Sequence, residues 1–122
     1  MENRERAKVV TENYKVWKKQ SLEDAGYFII FNGFLESNIL NRISGGALKL
    51  YIFLGLRSDN KTGESFYKIK TMSEYFGVND RTITNWLREL EKLNLIKRMQ
   101  LGYNSVSRTY LVPYFAGERG KK

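Results

Sequence analysis

The sequence contains no cysteine and no histidine, and it has one proline in 122 residues. Disulfide bonds, thiolate metal sites and zinc fingers are therefore excluded. General-base chemistry that uses imidazole and the nucleophile systems of most hydrolases are also excluded. We therefore expect a protein that is not an enzyme and that has no metal ion, cofactor or small-molecule ligand.

Long apolar runs are also missing. The longest, near residues 27–31 and 50–56, fall well short of the ~20 residues that a membrane span needs. The N-terminal MENRERAKVV mixes acids and bases and lacks the apolar core of a secretion signal. We expect a cytoplasmic protein without a membrane partner.

Acidic residues are fewer than basic ones, 13 against 21, which gives a formal net charge of +8. Residues 21–78 carry six bases and six acids, residues 79–122 carry nine and four, and residues 1–20 carry six and three. The positive excess is confined to the two ends. This segregation favours a surface that faces a polyanion, although a solvated basic surface without a partner stays open.

The chain divides into three predicted parts. Residues 1–20 contain an amphipathic helix over 3–20, because apolar residues recur at helical spacing at Ala7, Val10, Tyr14 and Trp17. This stripe requires burial, either against the rest of the chain or against a second copy. Residues 21–115 form one domain, and the basic residues 116–122 form a disordered tail.

The first half of the domain is predicted to contain a strand, two helices, a loop and a second strand. The aromatic and β-branched residues 27–31 predict a short buried strand, and residues 34–43 predict a helix. Ser44 is the predicted N-cap of a helix over residues 46–57 that is apolar on all sides and therefore central to the core. A loop over 58–64 and a brief strand over 66–69 follow.

The clearest local pattern begins at Thr71. Thr71 and Glu74 have the capping-box spacing of a helix start, Gly77 suits a left-handed helix end, and Asn79 can cap a second helix. A helix, a short turn with glycine and a helix make the arrangement of a helix-turn-helix. The second helix is predicted over residues 80–93, with an inner apolar stripe consisting of Ile83, Trp86, Leu87, Leu90 and Leu93.

A hairpin is predicted directly after this helix. Residues 95–101 and 108–112 read as strands, the polar residues 102–107 as their turn, and Pro113 as the end of the second strand. A hairpin in this position is a wing. The predicted fold class is therefore mainly α with a small β-hairpin, an α+β winged helix-turn-helix.

The run SGGALKLYIFLGLRSDNKTGESFYKIKTMSEYFGVNDRTITNWLRELEKLNLIKR, residues 44–98, resembles the winged helix-turn-helix domains of plasmid and phage replication initiators and related bacterial regulators. The shared features are the apolar helix, the NKTGE loop, the Gly-Val turn, a second helix that opens with RT, and the ending LREL-x-x-L-x-LI. Gly45 and Gly46 depart from the family pattern, which has a serine and a less flexible helix start there. The resemblance therefore does not predict the first turn of the apolar helix. The resemblance implies a DNA-binding domain.

Four side chains share the outer face of the second helix. The N-terminal turns of such a helix lie nearest the bases in the major groove. Arg81 and Arg88 can donate paired hydrogen bonds to guanine, Asn85 suits adenine, and Thr84 is a small adaptable contact. The alternative is an ordinary exposed polar face. Asp80 is assigned to capping, because a carboxylate stabilises a helix N-terminus and is repelled by phosphate.

Contacts to phosphate are predicted from basic residues on or near the wing, namely Lys68, Lys70, Lys97, Arg98 and Arg108. An equal alternative for Lys97 is to shield a strand edge from aggregation. At the wing tip, Tyr103 and Asn104 could enter a minor groove or stack on a base. Six aromatic residues are assigned to packing: Tyr51, Phe53, Phe66, Tyr75, Phe76 and Trp86.

The predicted function is sequence-specific binding of double-stranded DNA for control of replication or transcription on a plasmid, phage or other mobile element. One alternative is a single-stranded DNA-binding replication accessory protein, drawn from the eight tyrosines, seven phenylalanines and two tryptophans. The other is a winged helix that contacts an acidic protein. A homodimer would match a palindromic site.

Overall fold

A computed structural model of the chain describes residues 2–24, 26–59, 61–100 and 107–114. The elements are, in order, α1 (Asn3–Asp24), α2 (Gly33–Glu36), α3 (Ile39–Arg42), α4 (Gly45–Leu56), β1 (Glu64–Ser65), α5 (Ile69–Phe76), α6 (Asp80–Lys92), β2 (Ile96–Met99) and β3 (Arg108–Leu111). The predicted class, mainly helical with a small antiparallel β element, is confirmed. The tail predicted over residues 116–122 lies outside the described residues.

Helix α1 forms as predicted and continues one turn further, to Asp24. The predicted burial of its apolar stripe against the rest of the described chain is wrong, because no residue of α1 is buried. The alternative, burial against a second copy, stays a prediction. Val10, Tyr14 and Trp17 are more than half exposed. The physical reason is that the described part of the chain offers these side chains no covering surface.

The strand predicted over residues 27–31 is also wrong. This segment has no regular structure, and Tyr27 and Phe31 are mostly exposed. It is held to the domain by Phe28, whose ring lies 5.5 Å from that of Tyr51 between centroids. The Phe31 backbone N–H also donates a 2.7 Å hydrogen bond to the hydroxyl of Tyr114. Contacts with the side chains of Tyr51 and Tyr114 therefore hold this segment, rather than backbone pairing with a strand.

The single helix predicted over residues 34–43 is two short helices, α2 and α3. Asn38 lies between them in the left-handed conformation, with φ of 66°, which interrupts a continuous helix. Phe34, Ile39 and Ile43 are buried, whereas Leu35 and Leu40 are exposed. Because of the break, only some of the apolar residues of this segment reach the core.

Helix α4 is the centre of the core, as predicted. Its buried residues are Ala47, Leu50, Tyr51, Leu54 and Gly55. The cap is confirmed, because the Ser44 hydroxyl oxygen accepts a hydrogen bond from the Ala47 backbone N–H. Burial raises the pKa of the Tyr51 hydroxyl, and Tyr114 beside it raises that pKa further.

The start of α5 differs from the predicted one. The helix begins at Ile69, with Lys68 in an extended conformation before it, so Thr71 lies inside the helix and the capping box with Glu74 is not used. The brief strand β1 lies at residues 64 and 65, ahead of the predicted 66–69. Half-buried Ile69 packs against the core, and its burial favours the earlier helix start.

The turn between α5 and α6 follows the prediction closely. Gly77 ends α5 with φ of 67°, and the Val78 backbone N–H donates to the Ser73 carbonyl oxygen. Asn79 caps α6, since its side-chain oxygen accepts a 2.8 Å hydrogen bond from the Thr82 backbone N–H. On the inner side of α6, Ile83, Leu87 and Leu90 are buried, with Trp86 and Leu93 half-buried.

The three strands form one antiparallel sheet in the order β1-β3-β2. The predicted hairpin is β2 paired with β3, in the register Ile96 to Leu111 and Met99 to Arg108. The added strand β1 pairs its Glu64 with Tyr110 of β3. The sheet continues the helical core through buried Leu95 and Ile96.

Candidate nucleic-acid interface

Helix α6 presents two opposite faces. Its apolar face packs against α4 and α5. The other face holds residues at positions i, i+3, i+4 and i+7, which lie within about 100° on a helix of 3.6 residues per turn. These are Arg81, Thr84, Asn85 and Arg88, so the structure brings the four predicted base-contacting residues together.

Three of these side chains are open to solvent. Arg81, Asn85 and Arg88 are exposed, and within the described ranges none of them has a side-chain hydrogen bond or ion pair. Thr84 is half-buried, and its hydroxyl donates to the Asp80 carbonyl oxygen at 3.0 Å. Two guanidinium groups and one amide are therefore available to an external partner without breaking an internal contact.

Asp80, which the sequence analysis assigned to capping, is the first residue of α6. Its Oδ1 accepts a 2.6 Å hydrogen bond from the Ser73 hydroxyl of α5. The helix cap itself is supplied by Asn79. Asp80 therefore joins the two helices of the turn, and its carboxylate lies where the positive end of the helix dipole stabilises it.

Glu89 is a residue of this site that the sequence reasoning missed. Its carboxylate accepts hydrogen bonds from the backbone N–H of Ser44 at 2.6 Å and from the Ser44 hydroxyl at 2.7 Å. This pair of bonds fixes α6 to the N-terminus of α4. Residues 45 apart in the chain make the contact, so no local pattern could have revealed it.

The predicted phosphate-contacting residues of the wing are divided between its two faces. Neighbouring residues of a strand point to opposite faces, and directly paired residues share one. Lys97, paired with Tyr110, is exposed, whereas Arg98 is half-buried on the face of buried Thr109. The two basic side chains of β2 therefore cannot contact one flat surface together.

Arg108 of β3 already has an anionic partner. Its Nη1 lies 2.6 Å from Glu64 Oε2, and the guanidinium lies 5.6 Å from the centroid of the Phe66 ring. The Glu64 carboxylate raises the pKa of Arg108. A phosphate contact by Arg108 would therefore compete with Glu64 for the same charge.

The remaining predicted phosphate-contacting residues, Lys68 and Lys70, are exposed at the start of α5. Both residues lie at the N-terminal end of α5, the first helix of the helix-turn-helix. The predicted wing-tip residues Tyr103 and Asn104 lie outside the described residues. The roles assigned to all of these side chains stay predictions.

Two aromatic residues assigned to packing are mostly exposed, namely Phe66 at 62% and Tyr75 at 68%. Tyr51 is buried and Trp86, Phe53 and Phe76 are half-buried, as the packing assignment requires. The ring of Trp86 meets Phe76 edge to face at 5.8 Å between centroids. The assignment is therefore wrong for Phe66 and confirmed for the others, since the Tyr75 ring, although mostly exposed, lies 5.0 Å from the Phe53 ring between centroids.

The described ranges contain no group of three or more histidine, cysteine, aspartate or glutamate residues that could hold a metal ion. Within the same ranges, no helix has both the length and the apolar character needed to cross a membrane.

The order α4, β1, α5, α6, β2, β3, with the hairpin directly after an exposed second helix of a helix-turn-helix, defines a winged helix-turn-helix domain. Residues 41–96 match the model of a family described as a helix-turn-helix domain. The helix-turn-helix resemblance noted from the sequence is therefore confirmed.

Two solved structures share this fold over 90% of the chain and 85% of their own length, each at 21% identity. One is described as the N-terminal domain of a DNA-binding protein and has a TM-score of 0.58. The other is described as the structure of a Rep-DNA complex and has a TM-score of 0.56. No curated protein matches the sequence.

Proposed function

We propose that the chain binds double-stranded DNA sequence-specifically, with the N-terminal turns of α6 in the major groove and the β2–β3 wing beside them. The observation that carries this proposal is the outer face of α6, where Arg81, Asn85 and Arg88 have no internal side-chain partner among the described residues. Free guanidinium and amide groups on such a face are the groups that read guanine and adenine edges.

We place this binding in the control of replication, or of transcription, on a plasmid, phage or other mobile element in the cytoplasm of a bacterium. Replication is favoured because one structure of the same fold is a Rep-DNA complex. We propose a binding role without catalysis, since the sequence has neither histidine nor cysteine. A homodimer belongs to the same proposal, because two-fold proteins read palindromic sites.

Selection of bound sequences from a random duplex pool defines the preferred site. The Arg88→Ala variant is then expected to lose about 1–3 kcal/mol of discrimination at one base pair, because it loses a bidentate contact. Arg57→Ala is the matched control, since it removes the same charge from the end of α4. Should Arg88→Ala keep the full wild-type preference, direct readout by α6 is contradicted.

Single-stranded DNA binding is the second candidate function. The exposed rings of Phe66 and Tyr75 favour it, because bases of any sequence stack on aromatic faces. Competition between a single strand and a duplex of equal length separates the two candidates. Preference for the duplex eliminates single-strand binding, and preference for the single strand overturns the leading proposal.

A further inference from the structure

Helices α4 and α5 leave a groove between them on the surface of the domain, with a volume of about 440 Å³. Leu56 and Tyr75 are 61% and 68% exposed there, and Ile52 is 37% exposed. We call this surface the α4–α5 groove. Its apolar lining consists of Ile52, Phe53, Leu56, Tyr75 and Phe76.

The aromatic wall of this groove is fixed by packing. The Tyr75 ring lies 5.0 Å from the Phe53 ring and 5.0 Å from the Phe76 ring between centroids. Phe76 in turn meets Trp86 of α6 edge to face. A concave surface of this kind, largely preformed and mainly apolar, is typical of binding sites.

The apolar surface continues beyond the groove. Ile52 also lines a second concavity of about 290 Å³, whose lining residues are all uncharged. Phe31, Leu35 and Leu40 are exposed there. Clustered apolar side chains in solvent mark interaction surfaces, whereas single exposed ones are ordinary. The two concavities together therefore fit a segment longer than one helical turn.

Two cations, Lys49 and Arg57, also line the α4–α5 groove. Both are exposed, and neither has an ion pair with a described residue. The Lys49 ammonium lies 5.6 Å from the centroid of the Phe76 ring, which places its charge beside the aromatic wall. No acidic residue lines either concavity, since Asp59 and Glu74 lie outside both linings. The groove is therefore positively charged as well as apolar.

The positions of the cations define the chemistry of the occupant. Lys49 and Arg57 are eight residues apart on α4, about 12 Å along the helix axis. Ile52 and Leu56 lie between them. A complementary ligand therefore presents apolar side chains flanked by carboxylates. An amphipathic helix that lays its apolar face in a groove has these features, and acidic residues beside that face give it the matching charge.

A nucleic acid fits this groove less well. Proteins that bind single strands stack successive bases on aromatic rings along a basic track. Among the groove residues, Tyr75 is the one mostly exposed ring, whereas Ile52 and Leu56 are aliphatic. A phosphate backbone has no apolar groups to cover these two side chains.

We infer that the α4–α5 groove binds an acidic amphipathic segment of another protein, whose apolar side chains fill the groove while its carboxylates pair with Lys49 and Arg57. This inference goes beyond the proposed DNA binding. No residue of α6 lines the groove. The outer face of α6 therefore stays open to DNA while the partner is bound.

Peptide selection on the full-length chain tests the inference. The probe is a displayed library of random peptides, first depleted on the double variant Leu56→Asn, Arg57→Gln and then selected on the wild type. The depletion removes peptides that bind elsewhere on the protein. The enriched peptides are expected to carry apolar residues at helical spacing with carboxylates beside them. No enrichment, or enriched peptides without acidic residues, overturns the inference.

Fluorescence anisotropy of a synthesised selected peptide then separates the two kinds of contact. Leu56→Asn is expected to raise the dissociation constant about tenfold, because one buried apolar side chain is lost. Arg57→Gln is expected to raise it about three- to fivefold at low salt, and by less as salt increases. The matched controls are Leu22→Asn and Lys61→Gln, at exposed positions outside the groove. Both are expected to leave the dissociation constant unchanged.

Circular dichroism of each variant reports whether the domain still folds, and folding is expected because the replaced side chains are exposed. Binding of the selected duplex is expected to be unchanged in both groove variants, so this result is independent of the proposed DNA binding. Equal effects of the groove variants and their controls contradict the groove as the site. Labelled oligothymidylate that binds the wild type, displaces the peptide and is lost in Leu56→Asn would identify a nucleic-acid site instead and overturn the inference.

Discussion

At the scale of single residues, two adjacent glycines at the start of α4 have opposite surroundings. A Cβ added to Gly46 would lie 2.2 Å from the Trp86 indole, whereas a Cβ added to Gly45 would meet nothing within 4 Å. The departure from the family pattern at these positions therefore has a structural reason at Gly46. The missing side chain allows Trp86 of α6 to pack directly on the backbone of α4.

Gly46→Ala is expected to destabilise the protein by about 1–3 kcal/mol, because the added methyl group displaces Trp86 from its place beside Phe76. Gly45→Ala has open space and is expected to be neutral or to stabilise by up to ~1 kcal/mol through helix propensity. Urea unfolding of the two variants measures the difference. Equal midpoints for both would contradict the close approach of α4 and α6.

The candidate site was predictable from the sequence where one helix determines it. The faces of α6 follow from helical periodicity, which is why Arg81, Asn85 and Arg88 were expected outside and Ile83 and Leu87 inside. Contacts between distant residues were not predictable. The Glu89 bonds to Ser44 and the Arg108 pair with Glu64 depend on how elements pack, and no spacing in the chain encodes them.

At the scale of elements, the turn between α5 and α6 shows which signals are reliable. Gly77 and Asn79 act within a few residues of themselves, through a left-handed conformation and a side-chain cap, and both predictions are confirmed. The capping-box pattern of Thr71 and Glu74 is also a signal between residues close in sequence, but the structure does not form this cap. There, half-buried Ile69 packs against the core, and the helix begins with it.

Asn79→Ala is expected to cost about 1 kcal/mol, since α6 loses the hydrogen bond to the Thr82 backbone N–H. Asn79→Ser keeps a capping oxygen and is expected to retain most of the wild-type stability. Thermal unfolding measures both variants. A serine variant as unstable as the alanine variant would show that capping does not explain the role of Asn79.

At the scale of the whole molecule, sequence patterns predict which elements form better than they predict what covers them. Helix α1 formed as expected, but its apolar stripe has no covering surface in the described chain. Residues 27–31 have strand-forming composition, yet they pair with none of the three strands of the sheet. Burial and pairing depend on the neighbours that the complete fold supplies, so composition alone does not determine them.

The placement of DNA against α6 and the wing is tested most directly by amide NMR spectra of the isotope-labelled protein during titration with the selected duplex. The account predicts the largest shifts in the first turns of α6, around Arg81 and Asn85, and in strand β2 around Lys97. Buried core residues of α4, such as Leu50 and Leu54, are expected to shift little. Shifts that leave α6 unchanged and fall elsewhere would contradict the account.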